Sequence, residues 1–184
     1  MSPTQINIYQ AIAKRGEQNE DYFEKIGPIK CTNSKAWLGD GYYFWDTRID
    51  DAHWWGQMSR GDYFILRATM QLHPGVCFDL EGCVAHREIF DALGKELFQQ
   101  LGQSASGIYV KDVLTLIRKK LRSFDSTYGA IRACGVPLKG QPKAQTYRFD
   151  DIHFFQMREK VQICITDKTK VSFANVFVAH IVNE

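Results

Sequence analysis

The feature that most constrains this chain is a glycine-rich turn that leads directly into aromatic residues, Gly39-Asp40-Gly41-Tyr42-Tyr43-Phe44-Trp45. Two glycines separated by one residue allow the backbone to turn tightly and to approach another group closely. The aromatic run is as short as a buried strand, and Ala52-His53-Trp54-Trp55 follows soon after it. Two interpretations remain open: a hairpin that supplies core aromatic residues, or a floor on which a flat ligand stacks.

Length and composition narrow the class of protein. The 184 residues fit a single domain, 1–184, with a sizeable core, and 45% hydrophobic with 24% charged residues is typical of soluble globular proteins. The net charge of +2 does not demand a polyanionic partner. Five cysteines without a CxxC pair favour reduced thiols over a disulfide framework, and they form no zinc-like spacing with the histidines. We expect no secretion signal and no membrane partner, and we predict a cytoplasmic location.

Hydrophobic patterns predict an α+β fold with an antiparallel sheet and a helical insertion over residues 84–134. The clearest strand covers 63–72 and ends at His73-Pro74-Gly75, and the clearest helix carries apolar residues at helical spacing through 84–101. Strands are predicted over 6–12, 42–45, 63–72, 161–166 and 173–182, and helices over 20–27, 48–57, 84–101, 109–121 and 126–134. Asp46 and Asp50 are expected to cap the helix that follows them.

The glycine-aromatic stretch resembles the signature of the ADP-ribosyltransferase superfamily, in the diphtheria-toxin-like branch that includes the poly(ADP-ribose) polymerases. Gly39 to Phe44 fits the family's Gly-x-Gly-x-Tyr-Phe without a gap. Ala52-His53-Trp54 fits the following Ala-x-Tyr, with Trp54 at the ring that stacks on nicotinamide. Small bacterial and phage toxin-like members have a similar core. The match extends to the strand over 63–72 and is only topological elsewhere.

The resemblance implies an ADP-ribosyltransferase-like split antiparallel β-sheet, NAD as co-substrate and a catalytic triad on three strands. The triad positions fall on Gln10, where the family usually has histidine, on Tyr43 as expected, and on Gln162, where the family has glutamate. The resemblance places the NAD contacts on Tyr9, Gln10, Ala11, Gly41, Tyr43 and Trp54. No metal is implied.

The glutamine at position 162 is the departure with the largest chemical consequence. Breaking the nicotinamide–ribose bond develops positive charge at C1′, as in glycoside cleavage. A glutamate would hold the 2′-hydroxyl and also contribute a negative charge, whereas Gln162 keeps only hydrogen bonding. Glu159 is the nearest carboxylate in sequence, and we favour a solvated loop residue over a base there. Cys164 paired with His153 is a further possibility, although a cysteine in an apolar strand is more often inert core.

The acceptor is the part that the sequence constrains least. The segment over 136–160, where the family has its acceptor-recognition loop, mixes basic with aromatic residues: Lys139, Lys143, Arg148 and Arg158 with Tyr147, Phe149, Phe154 and Phe155. The run Arg118-Lys119-Lys120-Leu121-Arg122 adds basic residues on a helix. Such a mixture suits unpaired nucleic acid, but a solvated helix face and an anchored loop explain it equally well. A protein acceptor also remains open.

Three functional hypotheses follow. The first is an NAD-dependent mono-ADP-ribosyltransferase, toxin-like and with a possible antitoxin partner, that modifies nucleic acid or protein. The second is a catalytically weak or inactive module that binds NAD or ADP-ribose, which the two glutamines favour. The third is a nucleic-acid-binding domain of the same fold. For the ligand site that the resemblance implies, we expect Trp54 to face the ligand and Trp55 to pack internally, and the reverse arrangement remains open.

Overall fold

The computed structural model describes residues 2–16, 18–34, 36–58, 61–101, 109–134, 146–148, 154–156 and 160–182. Helices and strands alternate irregularly along the chain, so the fold is α+β, as predicted. The strands are β1 (Thr4–Ala13), β2 (Tyr42–Asp46), β3 (Tyr63–Leu72), β4 (Cys77–Asp79), β5 (Ala130–Cys134), β6 (Thr146–Arg148), β7 (Phe154–Gln156), β8 (Val161–Ile165) and β9 (Phe173–Val182). The helices are α1 (Glu20–Ile26), α2 (Ile49–Gln57), α3 (Val84–Leu101), α4 (Val110–Lys120) and α5 (Phe124–Thr127).

Seven of these strands form one mostly antiparallel sheet in the order β4-β5-β8-β2-β1-β3-β9, and only the β4–β5 pair is parallel. Strands β6 and β7 form a separate two-stranded ladder. The last two strands of the chain, β8 and β9, are not neighbours, because β2, β1 and β3 lie between them. Strands β1 to β4, which are consecutive in the sequence, lie alternately in the two halves of the sheet.

The shortest ladder in the sheet joins β1 to β2, and we call it the seam. It contains two residue pairs, Ile8 with Asp46 and Tyr9 with Trp45. On its other side, β1 pairs with β3 along its whole length, from Thr4 to Ala13. Beyond Tyr9, β1 therefore continues without β2 as a partner, and the sheet divides there into two groups of strands.

Side chains from the two groups share cores on both faces of the sheet, since register partners point to the same side. On the face that we call the helical face, α3 and α4 pack over β4, β5 and β8, and α2 packs near β1 and β3. The opposite face carries Ile8, Phe44 and Ile163 in one cluster, and Ile12 with Phe23 of α1 in another. Tyr43 and Phe44 thus face opposite sides, as predicted.

The prediction of a helix over 126–134 is wrong. Helix α5 ends at Thr127, and Ala130–Cys134 is strand β5, paired with β4 and β8. The N–H of Gly129 donates to Val76 O at 2.9 Å, and a Cβ on Gly129 would lie 2.7 Å from Asp167 O. Tertiary pairing at this crowded turn outweighs the local helical pattern, and the three-residue partner strand β4 was not predicted at all.

The other predicted strands and helices are confirmed, with small differences at their ends. The predicted capping role of Asp46 is wrong: α2 begins after Arg48 without a side-chain cap, and Asp46 contacts Arg132 instead. Asp50 lies in the first turn of α2, where its charge suits the helix dipole. None of the helices in the described ranges combines the length and the apolarity needed to cross a membrane.

A buried ion-pair network ties β2, β5 and β4 together. Arg132 Nε lies 2.7 Å from Asp46 Oδ2, and Arg132 Nη1 lies 3.0 Å from Asp79 Oδ1. Burial alone would lower the pKa of Arg132, but the carboxylates of Asp46 and Asp79 outweigh it and raise that pKa above its ordinary value. The guanidinium therefore stays charged and holds two carboxylates that would otherwise be buried alone.

Replacing Arg132 with methionine should destabilise the fold, because Asp46 and Asp79 would lose their counter-charge. We expect the free energy of unfolding to fall by about 3–5 kcal/mol, measured by urea denaturation. Arg122→Met, at an exposed position, is the matched control and should change stability little. Equal stabilities for the two variants would contradict the assigned role of Arg132.

His86 is a buried, neutral ring attached to the same region. Its Nδ1 accepts a hydrogen bond from the Asp79 N–H at 2.9 Å, so its Nε2 carries the proton and donates to the Tyr128 hydroxyl at 3.2 Å. Burial lowers the pKa of His86 below its ordinary value, against a smaller opposing effect of the Asp79 carboxylate.

This lowered pKa predicts a pH-dependent stability. The unfolded chain protonates His86 more readily than the folded chain does, so stability is lost as the pH falls through the ordinary histidine pKa towards the folded value. His86→Phe keeps ring packing against Phe78 and removes the titration. We expect a shallower fall in urea midpoint for His86→Phe than for the unchanged protein between roughly pH 8 and pH 5. Identical slopes would contradict the prediction.

Candidate functional site

Register pairing builds one row of side chains across four strands of the helical face. Tyr9 of β1 pairs with Trp45 of β2, Trp45 pairs with Gln162 of β8, and Gln162 pairs with Ala133 of β5. Directly opposite residues on neighbouring antiparallel strands have Cβ atoms about 4.5–5.5 Å apart. Gln162 is half-buried. It lies between the core under α2, which contains its partner Trp45, and the core under α3 and α4, which contains its partner Ala133.

Trp37 fixes the orientation of the Gln162 amide. The Trp37 indole N–H donates to Gln162 Oε1 at 2.7 Å, and an indole can only donate, so the bonded atom of the amide must be its oxygen. The Nε2 of Gln162 makes no hydrogen bond within the described part of the chain. Gln162 therefore offers a ligand two N–H donors, and its oxygen keeps one lone pair beside the bond from Trp37. Sequence reasoning missed Trp37, since nothing local links it to a residue 125 positions away.

The hydroxyl of Tyr43 closes the glycine turn. It accepts from the Leu38 N–H at 2.9 Å and donates to Gly39 O at 2.8 Å. Burial, followed by the neighbouring Cys164, raises the pKa of Tyr43 far above its ordinary value, so the hydroxyl keeps its proton. The Tyr43 ring packs against the core under α3 and α4. Tyr43 thus orders the turn through two backbone contacts.

The two glycines of the motif are required by this geometry. Gly39 has φ +94°, which other residues rarely adopt. A Cβ on Gly41 would lie 2.4 Å from Cys164 Sγ and 2.7 Å from Ile165 O, so only glycine allows the turn to approach β8 this closely. Gly41 also bridges to Cys31 through two backbone hydrogen bonds. The motif therefore has a structural reason that is independent of any ligand.

Gln10 uses its amide to hold backbone at the seam. Its Nε2 donates to Ile29 O at 3.0 Å and to Tyr43 O at 3.1 Å, and its Oε1 accepts from the Ile29 N–H at 2.8 Å. Strand alternation puts Gln10 on the same side of β1 as Ile8 and Ile12. Gln10 is buried, and both ends of its amide bond to backbone atoms. It lies on the face of the sheet opposite to that of Gln162.

Tyr9 and Ala11, the neighbours of Gln10, lie on the helical face of β1. Both belong to the cluster that contains Trp45 and Ala52. Of the three β1 residues predicted to contact NAD, these two share a face with Tyr43 and Gln162. Because side chains alternate along β1, the predicted NAD contacts of this strand lie on both faces of the sheet, with Tyr9 and Ala11 on one face and Gln10 on the other.

Three tryptophans meet at the end of this row. The Trp54 ring lies edge-on to Trp45 at 6.0 Å between centroids, and Trp55 contacts both. Trp54 is half-buried, but Trp55 is 45% exposed, so the expectation that Trp55 packs internally is wrong. Trp55 thus forms part of the surface.

The ammonium group of Lys160 lies over the Trp54 ring. Its Nζ lies 4.2 Å from the Trp54 ring centroid and 2.9 Å from Asp51 Oδ1. Asp51 is buried, and Arg48 also approaches it at 3.6 Å. The ammonium group, two residues before Gln162, therefore supplies a positive charge near the row.

The predicted acceptor region is only partly described. Lys139, Lys143, Phe149, His153, Arg158 and Glu159 lie outside the described residues. Tyr147 and Arg148 lie on β6, opposite Phe155 and Phe154 of β7. In the basic run of α4, Arg118 pairs with Asp125 at 2.9 Å and Lys120 with Glu96 at 2.7 Å. Part of that basic charge is therefore neutralised within the fold.

The thiols and histidines form no competing site among the residues described. No group of three or more histidine, cysteine, aspartate or glutamate residues there is arranged to hold a metal ion. Burial raises the pKa of Cys164 to about 12, so it stays a thiol, consistent with an inert core cysteine.

Comparison with known proteins adds no relative. No protein-family model, no curated protein and no solved structure matches this chain.

The bonding of Gln10 predicts a structural cost on its removal. Gln10→Leu would leave three backbone groups at the seam without partners, and we expect a loss of about 1–3 kcal/mol in the free energy of unfolding, measured by urea denaturation. Gln5→Leu is a matched control at an exposed position of the same strand. If both variants are equally stable, the side chain of Gln10 does not hold the seam.

Proposed function

We propose that this chain is a mono-ADP-ribosyltransferase that uses NAD as co-substrate and attaches ADP-ribose to a macromolecular acceptor. The observation that carries the proposal is the row of Tyr9, Trp45 and Gln162 across three adjacent strands at the seam. These strands, β1, β2 and β8, are the ones on which the ADP-ribosyltransferase resemblance predicts the three catalytic positions. The same resemblance predicts a split sheet, and the two-pair seam supports it.

The surroundings of Gln162 suit a dinucleotide. Trp37 and Trp54 supply aromatic surface near the row, and such rings stack on flat heterocycles. The Nε2 donors of Gln162, which bond to no described residue, fit a ribose hydroxyl, which can accept hydrogen bonds. Trp37 and Gln162 thus join Tyr9 and Trp54, which the resemblance already predicts, as proposed NAD contacts.

In the proposed reaction, the bond between the nicotinamide nitrogen and ribose C1′ breaks, and its electron pair leaves with nicotinamide. A lone pair of the acceptor forms the new bond to C1′, and the acceptor's proton passes to solvent. Positive charge develops at C1′, and Gln162 offers it no negative charge. Loss of one preorganised electrostatic partner costs about 10²–10³ in rate, so orientation of the reactants supplies most of the remaining acceleration.

A second candidate is a module that binds NAD or ADP-ribose without turnover. The hydrogen bond from Trp37 favours it, because the indole occupies one lone pair of the Gln162 oxygen and the neutral amide supplies no negative charge to the reaction. A toxin-like role with an antitoxin partner stays a prediction of the resemblance in either case.

Nicotinamide release measures the proposed activity directly. The protein is incubated with NAD labelled in its adenylate part and with separate RNA, DNA and protein pools. We expect nicotinamide release together with label on one pool. NAD binding by calorimetry without release would favour the second candidate, and the absence of binding would contradict both.

Gln162→Glu restores the missing charge and should raise the rate of nicotinamide release by about 10². Gln5→Glu makes the same charge change at an exposed site and should leave the rate unchanged. An unchanged rate in Gln162→Glu would mean that Gln162 does not contact the ribose. Trp54→Ala should in addition weaken NAD binding through loss of ring contact.

A further inference from the structure

A cleft next to Gln162 has the features of a second binding site. Its volume is about 240 Å³, and its lining includes Trp37, Glu81, Arg87, Phe90, Ala133 and Cys134. Ala133 is the register partner of Gln162, and Trp37 donates its hydrogen bond to the Gln162 side chain. The cleft and the proposed NAD site therefore share Trp37 as a common wall.

The carboxylate of Glu81 is held in a fixed position at this cleft. Its Oε1 accepts from the Cys134 N–H at 2.6 Å. The turn before it is fixed as well, because Asp79 Oδ1 accepts from the N–H groups of Glu81 and Gly82 at 2.9 Å each. No described residue bonds to Oε2 of Glu81. One carboxylate oxygen thus remains as an acceptor for a ligand.

Arg87 supplies a positive charge at the same cleft. Its side chain is exposed, and within the described ranges its guanidinium makes no ion pair. An exposed, unpaired guanidinium suits a phosphate, which it can bind through two parallel hydrogen bonds. The cleft therefore combines aromatic walls, one fixed acceptor and one exposed cation.

We propose that this cleft binds one unpaired nucleobase of a nucleic-acid acceptor strand. The base lies against Trp37 and Phe90, one of its N–H groups donates to Glu81, and the adjoining phosphate pairs with Arg87. A base within a duplex is stacked and paired, so it cannot present these groups together. An aromatic side chain of a protein acceptor would use the rings but would bring no phosphate for Arg87.

This inference deepens the proposed function by naming its acceptor class, and it rests on that function for the acceptor role. Occupation of the cleft itself does not require NAD. Binding of the nucleic acid and transfer of ADP-ribose can therefore be tested separately.

The binding test uses the full chain without NAD and short fluorescent single-stranded RNA and DNA oligonucleotides, followed by anisotropy. We expect Glu81→Gln, Arg87→Gln and Phe90→Leu each to weaken binding by roughly tenfold. The controls are Arg122→Gln, for loss of an exposed cation, and Phe98→Leu, for loss of an exposed ring on the same helix. Both should bind as the unchanged protein does, and duplexes of the same sequence should not compete.

The outcomes separate the two proposals. Absence of single-strand binding, equal competition by duplex, or variants indistinguishable from their controls would overturn the cleft proposal. Cleft-dependent binding without nicotinamide release or labelling supports the nucleobase site while the proposed transferase activity fails. Label on proteins alone, with no oligonucleotide bound, overturns the cleft proposal and leaves the transferase activity standing.

Discussion

The position of the candidate site depends on the contact between Arg132 and Asp79. Arg132 joins Asp79 of β4 to Asp46 of β2 across the intervening strand. Asp79 in turn orders the backbone of Glu81 and Gly82 and donates its own N–H to His86. A single buried cation thus fixes both the end of the sheet and the turn that carries Glu81. Removing it would disturb the cleft as well as the core.

A second constraint is that the glycine-tyrosine motif satisfies its own polar groups. The Tyr43 hydroxyl binds the backbone of Leu38 and Gly39, and Gln10 binds Ile29 and the carbonyl of Tyr43. These contacts form a rigid frame around the seam. In the proposed function, this frame orients the reactants. The residues proposed to contact the dinucleotide are Tyr9, Trp37, Trp54 and Gln162.

The sequence predicted most of the fold because its long strands and helices carry strong hydrophobic periodicity. The strand over 63–72 and the helices over 84–101 and 109–121 are examples. It failed at Ala130–Cys134, where a short strand is stabilised by pairing with β4 and β8 rather than by local preference. The candidate site was predictable only in part. Tyr43 was named from the glycine-aromatic motif, and Gln162 from the position of a late strand in the family. The side of β1 on which Gln10 lies and the bond from Trp37 depend instead on register and on contacts distant in sequence.

The two-pair seam also bears on how the molecule opens. One group of strands comprises β1, β3 and β9, and the other comprises β2, β4, β5 and β8. If the groups separate as cooperative units, amide hydrogens bonded across the β1–β2 ladder exchange with solvent before those bonded within the β1–β3 ladder. Neither group is a continuous stretch of chain, since each takes strands from both halves of the sequence. A continuous fragment of the chain therefore does not contain all the strands of one group without a strand of the other. The candidate site forms only when β1 and β8, which are far apart in sequence, lie in the same sheet.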